Sequence, residues 1–427
     1  MFKTILNTLG TKIISLLMGF LILILTTQYL GADGRGLVSL LGTSVGLILI
    51  FSGFIGGSSL VYLASRHDIS YLLIPSYFWA VIIAVTGTIT LAVFHVIPDS
   101  IILPTFILST LSGIGNVNLM ILIGKEKITL NNTISLVQVI TNFLTLIFFF
   151  LVYNQPSVSY YIYSMYITNI IAIFLGFYGI RKYFNGFSTD FIKAWTVVKS
   201  MLNYGFFGQI GNVIQYLNYR VSYFILNVYS GIGAVGIYSV GVTLSETVWL
   251  ISGSIALVEY SKISNIRDED YAKKLTIKLS KVSFFATLSV VISLLCVPAD
   301  WFALIFGKDF STVYGVILTM SAGICSFGLT VIISHFFAGI GKFQINAIAA
   351  GIGLIGTVTF SYLLIPSYGY IGAGITASIS YLMTSLFLIW IFIRQTQISI
   401  KDLYPTMNDL TEVIFELRKI FSFKNKQ

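Results

Sequence analysis

Residues 10–40 read GTKIISLLMGFLILILTTQYLGADGRGLVSL: an apolar run to Leu30, a short polar step, and the opening of a second apolar run. A helix rises 1.5 Å per residue, so the first run (10–30) and the second (37–64) each suffice to cross a hydrocarbon core of roughly 30 Å. The same unit recurs along the chain at 71–97, 101–123, 130–153, 159–180, 201–227, 234–258, 279–298, 312–338, 344–365 and 371–393. These runs are too long, and too free of period-two alternation, to be barrel strands. The expectation is an all-α polytopic membrane protein with twelve transmembrane helices.

Composition agrees. Of 427 residues 56% are hydrophobic and only 10% charged, whereas a soluble chain carries about a quarter of its residues as charges. The basic residues set the orientation. With the N-terminus inside, the cytoplasmic loops receive Lys3, Lys12, Arg66, Lys125, Lys127, Arg181, Lys182, Lys262, Lys273, Lys274, Lys342 and Arg394, among others, and the outer loops only Arg35 and Lys308. That asymmetry places both termini in the cytoplasm. The net charge of +9 then belongs to loops lying against anionic lipid rather than to a nucleic-acid surface. The first run lacks a small-residue cleavage site and reads as a span, not a signal peptide. Cys296 and Cys325 fall in apolar segments and read as packing residues; no metal site is expected.

The chain falls into an N-terminal six-helix bundle (1–180), a polar linker (181–200), a C-terminal six-helix bundle (201–393) and a tail (394–427) in which 408–420 can form an amphipathic interfacial helix. The two bundles repeat one another. Residues 29–40, YLGADGRGLVSL, align with 229–240, YSGIGAVGIYSV, at an offset of 200, and the same offset matches Ser52-Gly53 to Ser252-Gly253 and Pro98 to Pro298. Ile123-Gly124-Lys125 then matches Ile340-Gly341-Lys342 at 217, as if the second half held about 17 extra residues after Pro298. Six spans is an even number, so the copies run parallel. Two such bundles around a central cavity suit alternating access.

Polar residues inside spans mark the cavity, since lipid penalises them elsewhere. Arg220 leads: it lies about 15 residues into span seven, roughly 20–25 Å across. Gln209, Asn212, Gln215, Tyr216, Tyr219 and Arg220 recur at spacings of three and four and so share one broad helical face. Glu246, near the middle of span eight, is a candidate counter-ion or proton exchanger. Asn116 and Asn118 (span four), Gln138 and Asn142 (span five), Asn169 (span six) and His335 (span ten) are further polar positions, with Asn116 and Asn142 taken as cavity candidates. Asn116 and Asn118 face different sides of their helix. Arg220 could also snorkel to an interface, and single amides often serve only as interhelical glue.

No phosphate loop, HExxH motif or nucleophilic triad is present in the sequence, and the outer loops are too short for a catalytic domain. An enzyme is not expected. No cofactor is expected either, so any driving energy would come from a proton or sodium gradient, with Glu246 the coupling candidate.

The run from Thr26 to Arg66, with Leu30-Gly31, Ala32-Asp33 and Gly36 at its turn, resembles the opening of the polysaccharide-transport branch of the multidrug, oligosaccharidyl-lipid and polysaccharide exporter superfamily. IFGKDFS at 305–311 and GYIGAGITASIS at 369–380 are similar to later segments of that branch, and Gln28 stands where many of its members carry a basic residue. The resemblance implies a flippase that moves undecaprenyl-diphosphate-linked oligosaccharide repeat units to the outer leaflet of a bacterial cytoplasmic membrane during surface polysaccharide synthesis. It implies a polyprenyl-diphosphate-linked glycan and membrane lipids as partners, glycan polymerase or assembly machinery as further ones, and Arg220 as the contact for the diphosphate. A guanidinium fork suits phosphate oxygens. Two other readings stand beside it. One is a cation-coupled multidrug exporter of the same fold, which Glu246 would serve. The other is a scaffold for glycan assembly that translocates nothing.

Overall fold

The computed structural model describes residues 2–184, 191–265 and 268–404; the expected tail helix at 408–420 lies outside them. In a bilayer every backbone N–H and C=O must be satisfied within its own segment, and among the described residues there is no strand. The helices are α1 (Phe2–Gly56), α2 (Ser58–Ala64), α3 (Ile69–Val93), α4 (Ile102–Gly124), α5 (Ile128–Ile147), α6 (Val158–Ile180) and α7 (Phe191–Ser230). They continue with α8 (Ile232–Thr247), α9 (Trp249–Ile263), α10 (Glu269–Leu295), α11 (Ala299–Phe306), α12 (Val313–Gly339), α13 (Phe343–Thr396) and α14 (Ile400–Leu403).

Nine candidate spans among the described residues are long and apolar enough to cross a membrane. Two of these contain helices of 55 and 54 residues, α1 and α13, each broken by a non-helical glycine, Gly31 in α1 and Gly369 in α13. Each therefore has length for two crossings, and the 40-residue α7 has length for another; this is consistent with the expected twelve. Large apolar side chains such as Phe78, Phe94, Phe174 and Leu304 are exposed at 68%, 73%, 70% and 77%. On this scale of exposure only lipid is a suitable solvent for them.

The chain forms two compact units, Met1–Ile237 with Ala303–Phe310, and Tyr238–Phe302 with Ser311–Gln427. The first unit thus holds α7, which packs along α1. Its interior has two apolar clusters, one around Leu72, Ile121, Ile134 and Met201, the other around Leu40, Ile48, Leu108 and Phe224. In the second unit α9, α10 and α13 pack on α12, and a cluster around Ile333, Phe337, Leu388 and Phe392 fills one end. Small hydroxyl residues complete both interiors. Ser44, Ser76, Thr105 and Thr384 are buried and donate to the carbonyl four residues earlier at 2.7–3.0 Å, which lets a polar side chain sit inside a bundle without a vacant donor.

The internal repeat is visible in backbone conformation. Gly31 and Gly231 both take left-handed φ, 64° and 80°, where a Cβ is costly, and each makes a one-residue turn into the next helix. Pro98 and Pro298 each accept a bond three residues on, from Ile101 N at 3.1 Å and Trp301 N at 3.0 Å. The third match moves. Lys125, Glu126 and Lys127 N–H donate to Ile121, Ile123 and Leu122, and Ile340, Gly341 and Lys342 repeat that pattern onto Phe336, Ala338 and Phe337. The offset here is 215, not 217: Glu126 (φ 57°) corresponds to Gly341 (φ 77°). Residue identity misled because Ile-Gly-Lys recurs two positions out of conformational register.

The extra residues of the second half include α11 and the turn Lys308–Phe310. From Ala303 to Phe310 they belong to the first unit and close over the break in α1. Gln28 Nε2 donates to the Leu304 and Ile305 carbonyls at 2.9 and 2.8 Å, and Asp309 Oδ2 accepts from Ala32 N at 3.1 Å. Gln28 therefore serves to hold a loop, and Asp309 supplies the acceptor that the helix restarting after Gly31 needs for its first free N–H.

Candidate functional site

The polar stripe of α7 divides by what covers it. Gln209 is buried and accepts from Asn212 Nδ2 at 2.6 Å. A Cβ on Gly53 would lie 1.8 Å from its Nε2, so its amide packs directly on the glycine ridge of α1. Tyr216 does the same one level on: its hydroxyl donates to the Thr43 carbonyl at 2.8 Å and occupies the space a side chain on Gly46 would need. Asn212 is exposed. Gln215 is half-buried, yet its Nε2 is buried and has no hydrogen-bond partner.

Toward the Ser230 end the same helix carries charge. Tyr219 and Arg220 are half-buried. Arg220 Nη1 donates to the Tyr219 carbonyl at 3.4 Å, and its guanidinium carbon lies 5.5 Å from the ring centroid of Tyr223, within cation–π range. Tyr223 is buried, and the Tyr216 hydroxyl is in electrostatic reach of both Arg220 and Tyr223.

A second arginine joins them. Arg35 sits in the first turns of the helix that restarts after Gly31; its Nη1 donates to Thr26 Oγ1 at 3.2 Å, and its Nε is buried without a partner. Tyr161 and Tyr223 are the groups that act on it electrostatically. Arg220 thus lies over the Tyr223 ring, and Arg35 is within electrostatic reach of the same side chain. From sequence Arg35 was placed in an outer loop, because it lies between two apolar runs. The one-residue turn at Gly31 makes that stretch helical, and the usable signal was the alignment of Gly31 with Gly231, which leaves no room for a loop.

The asparagines divide likewise. Asn118 is wholly buried, accepts from the Tyr77 hydroxyl and donates to the Ile173 carbonyl at 3.4 Å, tying α3, α4 and α6 together. Asn142 accepts from Ser164 Oγ at 2.9 Å and lies 3.6 Å from Met165 Sδ, a tie of α5 to α6. Asn169 accepts from Ser112 at 2.9 Å, a tie of α4 to α6. Asn116 is half-buried on another face of α4. Asn118→Ala strands the Tyr77 hydroxyl and is expected to lower stability by about 1–3 kcal/mol, read as earlier thermal unfolding of the detergent-solubilised protein, with no change in ligand preference.

In the second unit Glu246 is half-buried and accepts from the Tyr381 hydroxyl at 3.4 Å. It lies two residues before Val248, where α8 gives way to α9. Trp249, Phe327 and Tyr381 form an aromatic triad there, with centroids 4.6, 5.1 and 5.4 Å apart. Val248 keeps helical φ/ψ (−59°, −31°), and Val248 N and Ile251 N donate to carbonyls three residues back at 3.3 Å, so the helix tightens there rather than ending. His335 turns Nδ1 to its own helix, 2.9 Å from the Val331 carbonyl. The two thiols are free: Cys296 is exposed and Cys325 half-buried.

Arg220 and Arg35 near Tyr223 in one unit, and Glu246 with the aromatic triad in the other, thus stand within an all-α fold of long apolar helices. The chain belongs to the family described as polysaccharide biosynthesis protein, whose model matches residues 2–260. It is similar to the capsular polysaccharide biosynthesis protein CapF of Staphylococcus aureus, 28% identical over 257 residues covering 56% of this chain and 62% of the relative. An uncharacterized membrane protein of Methanocaldococcus jannaschii is 25% identical over 254 residues, 58% of this chain and 49% of that one. The chain thus spans about half to three fifths of the length of these relatives. Among solved structures, the lipid II flippase MurJ in an inward closed conformation superposes with a TM-score of 0.76 at 16% identity, covering 97% of this chain and 92% of that one.

Proposed function

We propose that this chain is a flippase for a polyprenyl-diphosphate-linked oligosaccharide, carrying the glycan head across the membrane while the lipid tail stays in the bilayer. The observation that carries this reading is that Arg220 lies over Tyr223 and Arg35 is within electrostatic reach of it in the first unit. Arginine within a membrane-spanning bundle marks a path for anions, and a diphosphate offers two charged groups with oxygens spaced for bidentate guanidinium forks. Family membership supports a role in polysaccharide biosynthesis. The undecaprenyl repeat unit as the specific cargo, the bacterial cytoplasmic membrane as its location, cytoplasmic termini and Glu246 as a coupling group are parts of the same proposal. Tyr161, Tyr216 and Tyr219 supply rings and hydroxyls that suit sugar faces.

A cation-coupled drug exporter is the second reading, and the carboxyl and aromatic triad around Glu246 are what favour it. Ligand stabilisation separates the two. Undecaprenyl-diphosphate oligosaccharide is expected to raise the melting temperature of the purified protein, by the mass-action term that any native-state ligand adds, and a cationic dye is expected to leave it unchanged. Stabilisation by the dye alone would transfer the assignment to the exporter.

A further inference from the structure

The second unit contains a carboxyl that lies just past the expected end of span eight and so drew no attention in the sequence. Glu259 of α9 is wholly buried. Thr276 of α10 donates to its Oε1 at 2.7 Å, and Oε2 is buried with no hydrogen-bond partner. The ionisable groups around it are engaged elsewhere or turned away. Lys262, one turn along α9, is exposed. On α10, Lys273 pairs with Asp270 at 3.4 Å and reaches the Thr396 carbonyl at 3.4 Å, and Lys278 and Lys281 lie on other faces of the helix than Thr276 and Ser280. On α12, His335 is bound to the Val331 carbonyl and its ring meets Tyr260 of α9 at 6.4 Å; Cys325 lies higher on the same helix. An ionised carboxylate so placed has no counter-charge, which a bundle interior does not tolerate without a partner.

The hydrogen bond at Oε1 accommodates both protonation states. The Thr276 hydroxyl also lies 2.9 Å from the Ala272 carbonyl. With the carboxylate ionised it donates to Glu259; with the carboxyl protonated it accepts from Glu259 and turns its hydrogen to Ala272. Beyond it α10 presents Ser280, Ser283 and Thr287, all wholly buried. Ser280 Oγ has no partner, while Ser283 donates to Ser252 Oγ at 2.9 Å, 2.6 Å from the Gly328 carbonyl, and Ser252 meets Thr287 Oγ1 at 3.0 Å. Ser283, Ser252 and Thr287 are hydrogen-bonded to one another, and Ser280 stands between them and Thr276 bonded to neither. This hydroxyl face runs about 16 Å along α10, whereas Glu259 is about 6 Å from the Ile263 end of α9.

We propose that Glu259 is a proton-binding site of the second unit, loaded from the Lys262 end of α9, with the Thr276 hydroxyl as its hydrogen-bonding partner in both protonation states. Loading takes a proton from water and forms an O–H bond on the carboxyl; release returns the proton to water, with no redox change. The proposal rests on the transporter reading for what the proton drives, though not for where it binds.

The test is pH-dependent infrared difference spectroscopy of the full chain in lipid vesicles, without glycan, so its failure is separate from failure of the flippase assignment. The expected result is a titrating carbonyl band of a protonated carboxyl that disappears in Glu259→Gln and shifts in frequency in Thr276→Val, which removes the bond the carboxyl makes. An unaltered band in Glu259→Gln would overturn the proposal. So would loss of the wild-type band on adding sodium at fixed pH, which would make this a cation site. Should Glu259→Gln not fold, an unshifted band in Thr276→Val would overturn it equally.

Discussion

Arg220→Ala and Arg35→Ala are each expected to slow leaflet exchange of a polyprenyl-diphosphate oligosaccharide about ten- to a hundredfold. A hydrogen bond to a charged group contributes roughly 1.5–3 kcal/mol, and 1.4 kcal/mol is a factor of ten. Because both guanidinium groups are within electrostatic reach of Tyr223 and would meet one diphosphate, the double variant is expected to lose less than the product of the single effects. Lysine in place of either arginine keeps the charge and loses the planar fork, so partial recovery distinguishes charge from geometry. The check is initial exchange rate in vesicles holding equal amounts of folded protein. An Arg35→Ala variant as active as wild type would leave Arg220 alone as the anion contact.

A large stability effect is expected at a pair of glycines. A Cβ on Gly36 would lie 1.9 Å from the Ile232 carbonyl oxygen, and a Cβ on Gly236 would lie 2.0 Å from that of Ala32. The obstacle in each case is backbone, which cannot rotate aside, so the two helices must part. Gly36→Ala and Gly236→Ala are each expected to cost about 1–3 kcal/mol, as overpacking does, and larger side chains more. Gly351, where nothing lies within 4 Å, is the contrast: Gly351→Ala is expected to be neutral or to stabilise by roughly 0.4–1 kcal/mol through the unfolded state. Thermal unfolding in detergent ranks the three.

These two results bear on how far the sequence could be read. The repeat at offset 200 was legible because it is fixed by backbone: two left-handed turns at Gly31 and Gly231 favour glycine, and the reciprocal approach of 1.9 and 2.0 Å at Gly36 and Gly236 leaves no room for a side chain. The shift to 215 was not, because the turn at Lys125–Lys127 is specified by hydrogen bonds that Glu126 and Gly341 both permit, so conformation recurs where identity does not. Periodicity put Gln209, Tyr216 and Arg220 on one face, and it could not say what covers that face. The α1 glycines that receive Gln209 and Tyr216 are far away in sequence. Arg35 and Glu259 were missed for one shared reason. Each stands at the edge of an apolar run, where a hydropathy boundary is uncertain by a helical turn, and a turn decides whether a charge is read as loop or interior.

Whether the chain moves a lipid-linked glycan is decided by leaflet exchange with the purified protein in vesicles carrying a fluorescent undecaprenyl-diphosphate oligosaccharide, followed by quenching of the outer leaflet. Protein-dependent exchange of the diphosphate-linked glycan is the expected result. Folded protein that leaves its leaflet distribution unchanged, with or without an imposed proton or sodium gradient, would contradict it.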